Sequence, residues 1–118
     1  MSDPPGPGSE ARPDGVARHP PWRWPAEWER HRATWLAWPH KEASWPRRLE
    51  HVPPRFVEMV RALVAGERVE ILVSDAAAAA SVGELLERAG IEPSAVGLHV
   101  VPTDDAWIRD HGPTFVVR

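Results

Sequence analysis

Ten consecutive residues, Asp104-Asp105-Ala106-Trp107-Ile108-Arg109-Asp110-His111-Gly112-Pro113, gather three carboxylates, an arginine, a tryptophan and a histidine ahead of a Gly-Pro pair. Residues of these types suit recognition of a flat, permanently charged cation. A guanidinium ion presents a fork of N–H donors that a carboxylate accepts in pairs, and its plane rests well against an aromatic face. Trp107 and Asp110 offer those two partners. In an extended strand, residues three apart point to opposite faces; in a turn or a single helical winding they share a side. Gly112 and Pro113 favour the turn.

The same residues admit blander readings. Acidic residues with Gly-Pro occur in any solvated loop, a tryptophan often plugs the edge of a core, and Arg109 with Asp110 could form an ordinary surface ion pair. Asp104, Asp105, Asp110 and His111 could also hold a hard cation, although their spacing matches no familiar metal motif.

The segment DDAWIRDHGP, taken with PAEWERHRATWLAWPH at 25–40 and the Trp45-Pro46 that follows, resembles the opening third of the agmatine deiminase and bacterial peptidylarginine deiminase family. The resemblance spans about 25–118. It implies the first part of a five-bladed α/β propeller of the pentein kind, and hydrolysis of a guanidino group to a ureido group and ammonia. The chemistry it implies uses a cysteine nucleophile, a histidine and acidic residues, with no metal and no cofactor. The family's W-x-R-D element falls on Trp107, Arg109 and Asp110. By that likeness Asp110 grips the guanidinium as the catalytic acid present here, and Trp107 lines its plane. Asp104 and Asp105 line the substrate site or hold its loop, while Arg109, Gly112 and Pro113 are structural. The chain has no cysteine, so the resemblance implies an N-terminal portion that is inactive alone. Agmatine, yielding N-carbamoylputrescine and ammonia, is the implied substrate, with peptidylarginine as the alternative. A non-enzymatic module that binds a guanidinium or amine, and a metal-dependent hydrolase, are the competing classes.

Composition narrows the field. A net charge of −3 without a basic cluster lacks the electrostatic footprint that a phosphate backbone demands, so nucleic acid is not an expected partner. No stretch approaches the roughly 20 apolar residues of a membrane span, and no signal-peptide run opens the chain. A cytoplasmic protein with a small guanidino substrate is the expectation, with oligomerisation left open. Six of the 14 prolines lie within residues 1–21, where Val16 is almost the only sizeable apolar side chain; that segment reads as a disordered tail ahead of a domain over 22–118.

Within that domain, Trp22, Trp24 and Trp28 should pack down on a core or seam. Residues 33–38 read as a first strand closed by Pro39, and 39–54 as a long loop holding His40, Trp45 and His51. Phe56, Met59, Val60, Leu63 and Val64 recur with helical spacing after Pro54, up to a stop near Gly66. A strand is expected at 68–73. A helix capped by Ser74 or Asp75 should follow, burying Val82, Leu85, Leu86 and Ala89 and ending at Gly90. Residues 96–101 alternate as a third strand, and 114–117 as a fourth. The expected order is β-α-β-α-β-loop-β, an α/β layer with crossovers. Alternation of strands and helices suits a propeller blade and a small doubly wound sheet equally.

Overall fold

The computed structural model describes residues 21–118, so the tail expected over 1–21 falls, apart from Pro21, outside the described residues. The chain divides into two compact units. One is Glu27–Pro113; the other joins Thr114–Arg118 to the described residues before Glu27.

The larger unit is an α/β layer built on a parallel sheet. Its strands are β1 (Ala33–Ala37), β2 (Arg68–Val73) and β3 (Val96–Val100), hydrogen-bonded in the order β1-β2-β3. Leu36 sits opposite Ile71, and Ile71 opposite Leu98. Parallel neighbours cannot be joined by a tight hairpin, so a helix returns the chain each time. These helices are α1 (Val52–Leu63) and α2 (Ala76–Arg88).

Local chemistry sets their ends. Pro53 and Pro54 occupy the first turn of α1, where a backbone N–H is not needed, and this lets the helix begin at Val52, inside the expected loop. The Asp75 carboxylate accepts from the Ala78 N–H at 2.7 Å, so Asp75 rather than Ser74 is the cap. Gly90, at φ 75°, turns the chain out of α2 in the left-handed region that a side chain resists.

Both helices pack on one face of the sheet. Val69, Ile71 and Val73 of β2 are sealed there with Val57 and Val60 of α1 and Val82 and Leu86 of α2. The α1 stripe is rotated from the expected one: Val57 is buried, whereas Met59 is 44% exposed. Among the described residues both helices cover the same face, and the strands follow chain order. The opposite face presents Trp35, Glu70 and His99. There Glu70 accepts a hydrogen bond from His99 at 2.7 Å, and the His99 ring lies 5.1 Å from that of Trp35.

Three further expectations are corrected. Segment 39–54 is not a plain loop, because it winds into 3₁₀ turns at Glu42–Ser44 and Leu49–His51. In the smaller unit, 114–117 makes no strand: Val117 pairs with Arg23 in one isolated antiparallel bridge, and a single pair of hydrogen bonds is not a ladder. The tryptophans expected to pack down are exposed instead, at 53% for Trp22, 74% for Trp24 and 89% for Trp28. Their neighbours are charged residues and prolines, and the Trp22 ring is capped by the Arg118 guanidinium at 4.7 Å. No helix among the described residues is long and apolar enough to cross a membrane.

Candidate functional site

Two backbone bonds carry the ladder beyond the sheet. Trp38 N–H donates to the Leu72 carbonyl at 2.9 Å, and Val101 N–H to that of Val73 at 3.0 Å. The loops leaving β1 and β3 therefore emerge together at the carboxyl end of the strands, where parallel α/β folds place ligands. A cleft of about 670 Å³ opens there, reaching from Leu72 to the acidic loop and lined by Trp107, Asp110 and His111.

The acidic loop ends in one helical turn, α3 (Ile108–His111). Asp110 N–H donates to the Trp107 carbonyl at 3.0 Å, and this winding brings both side chains to the cleft as their spacing requires. Gly112 closes the turn with a 2.6 Å bond to the Ile108 carbonyl. A Cβ at that position would stand 2.5 Å from the same oxygen, so the close approach demands glycine.

The three acids of the loop have different surroundings. The Lys41 ammonium reaches Asp104 at 2.7 Å, a contact that raises the lysine pKa. Ser44 donates its hydroxyl to Asp105 Oδ2 at 2.5 Å, while Asp105 Oδ1 accepts from the Ala106 N–H. The Ser44 bond first, then the Ala106 N–H and the nearby Lys41, hold the Asp105 carboxyl below its usual range. Asp110 accepts no hydrogen bond from any described side chain. Its neighbour Arg109 is directed elsewhere and donates to Glu27 at 2.5 Å, which lowers the glutamate pKa and raises that of the arginine.

His111 donates to the Asp105 carbonyl at 3.1 Å and so braces the loop. Pro113 follows Gly112 at the edge of the same cleft. Among the described residues, no three side chains of His, Cys, Asp or Glu converge as metal ligands. Of the acids considered for such a set, Asp104 and Asp105 face Lys41 and Ser44.

Four contributors escaped the sequence reading: Glu27, Lys41, Ser44 and Trp45. The Trp45 indole is stacked with that of Trp107, at 6.1 Å between centroids and 16° between planes. Segment 39–54 carries a single tryptophan, Trp45, and nothing local in the sequence names its partner.

An α/β protein whose acid-and-indole cleft opens at the ends of parallel strands is the class that emerges from this geometry. The model of the Porphyromonas-type peptidyl-arginine deiminase family matches residues 23–118, and the chain belongs to that family. It is 37% identical over 93 residues to a putative agmatine deiminase of Selenomonas ruminantium, covering 79% of this chain and 24% of that protein. It is 33% identical over 108 residues to an agmatine deiminase of Pseudomonas aeruginosa, covering 91% of this chain and 27% of the relative. The chain thus spans about a quarter of the length of the curated relatives it matches. The solved C. jejuni agmatine deiminase superposes with a TM-score of 0.64 at 22% identity, over 81% of this chain and 28% of that one; at that identity the likeness speaks for the fold.

Proposed function

We propose that residues 22–118 form the N-terminal portion of a guanidino-group hydrolase with a five-bladed α/β propeller. In this reading Asp110 and Trp107 hold the guanidinium of agmatine. Water replaces one guanidino nitrogen, the C–N bond breaks, and the products are N-carbamoylputrescine and ammonia. Resonance makes the guanidinium carbon a poor electrophile, so the reaction calls for a strong nucleophile, such as a thiolate, and for a proton donor to the departing ammonia. This chain holds no cysteine, and the proposal assigns the nucleophile to segments outside these 118 residues.

The observation that carries the reading is the division of labour among the acids. Asp104 and Asp105 face partners in the Lys41–Ser44 segment, whereas Asp110 lines the same cleft as the half-exposed Trp107 and accepts no hydrogen bond from a described side chain. A carboxylate beside an aromatic face is the pairing a planar cation requires. Peptidyl-arginine is the second substrate supported, because the matching family model carries that name.

Calorimetric titration of the chain with agmatine tests the binding half of the reading. Weak binding that Asp110→Asn abolishes is expected. Binding of equal strength to n-butylamine, which lacks the guanidinium, would overturn it.

A further inference from the structure

We infer that Trp45 is a positioning residue that holds the Trp107 indole in the plane a guanidinium needs, an inference that rests on the proposed reading of the cleft. Trp107 lines the cleft and Trp45 does not, and the two indoles are stacked, so Trp45 can support the Trp107 ring without itself occupying the cleft. At 6.1 Å and 16°, the two rings have the separation of an offset aromatic stack. Trp107 is 58% exposed and stands at the start of a four-residue helical turn, so little else restrains its side-chain torsions. A cation–π contact fails when the ring turns its edge toward the ion.

The segment carrying Trp45 is tied to the loop carrying Trp107 at two points besides the stack. Lys41 reaches Asp104 at 2.7 Å and Ser44 reaches Asp105 at 2.5 Å, so the residues just before Trp45 meet the residues just before Trp107. The turn around Trp45 is also closed on itself. Trp45 N–H donates to the Glu42 carbonyl at 3.0 Å, Arg48 N–H to the Trp45 carbonyl at 2.9 Å, and Arg47 N–H to the Glu42 carboxylate at 2.8 Å. The indole N–H of Trp45 is buried and meets no acceptor among the described residues. The ring contact of Trp45 is its stack on Trp107. Trp45 touches no substrate in this arrangement; it acts through its neighbour.

Two variants of the full chain separate stacking from space-filling: Trp45→Phe keeps an aromatic face, and Trp45→Leu keeps hydrocarbon without one. In the ¹⁵N-labelled chain, the heteronuclear NOE of the Trp107 indole N–H reports its order, and agmatine is the titrant. Trp45→Leu should lower the NOE and weaken agmatine about three- to fivefold, the scale of one exposed cation–π contact, while Trp45→Phe stays within about twofold of wild type. If Trp45→Leu, with its amide spectrum intact, leaves Trp107 ordered or agmatine affinity unchanged, the inference falls, and it falls equally if both variants behave alike. The underlying reading fails separately: a wild-type chain whose Trp107 signal ignores agmatine removes the guanidinium and, with it, the purpose given to the pair.

Discussion

The Ser44 hydroxyl donates to the Asp105 carboxylate at 2.5 Å across 61 residues of sequence, joining the loop that leaves β1 to the loop that leaves β3. Because this bond holds the Asp105 pKa below its ordinary 3.8, its contribution is complete above that value and disappears as pH falls through the depressed folded one. Near-UV circular dichroism of the stacked indoles, followed from pH 6 to about 2, should show an acid transition that Ser44→Ala moves to higher pH. An unmoved transition would mean that the bond does not anchor the loop.

A second acid-sensitive contact lies on the open face of the sheet. The His99 bond, and after it Arg68, keep the partly buried Glu70 carboxyl below its usual range. A depressed folded pKa stabilises above the unfolded value and loses its effect as pH falls through the folded one. Thermal denaturation should therefore show stability falling with acid below about pH 4.5 in the wild-type chain and falling less in Glu70→Gln. Parallel acid slopes would remove Glu70 from the account.

The core makes a sharper demand. Ile71 has no exposed surface, so Ile71→Ala should cost roughly 2–5 kcal/mol in chemical denaturation, by lost burial and a residual cavity. Met59 lies on the helical stripe legible in the sequence but is 44% exposed; Met59→Ala should stay within about 0.5 kcal/mol. A large loss at Met59 would show that the rotation of α1 described above is wrong.

Gly112→Ala would put a methyl group 2.5 Å from the Ile108 carbonyl oxygen. The turn must open to admit it, at a cost of about 1–3 kcal/mol, and Asp110 should leave its position beside Trp107. Agmatine-dependent shifts of the Trp107 indole signal should vanish in this variant. Their persistence would place the binding group elsewhere.

Much of the scaffold is legible without coordinates, because helical periods, branched strands and Gly or Asp punctuation are local signals. Asp75, Gly90 and the turn before Gly112 all belong to this class. The face of α1 was misread by one position, since both Val57 and Met59 border the apolar stripe and only packing against β2 chooses between them. The tryptophans at 22, 24 and 28 were misread because apolar bulk says nothing of whether a partner surface exists. The loop contacts were beyond reach for a different reason: Lys41 with Asp104, Ser44 with Asp105 and Glu27 with Arg109 are 63, 61 and 82 residues apart, and no local pattern carries such pairings.

The most direct measurement is ammonia release from agmatine by the protein expressed from its full coding frame, wild type against Asp110→Ala. Loss of paired, charge-assisted hydrogen bonds to the cation should lower kcat/KM by about a hundredfold or more. Undiminished release from Asp110→Ala would contradict the claim that this carboxylate grips the guanidinium.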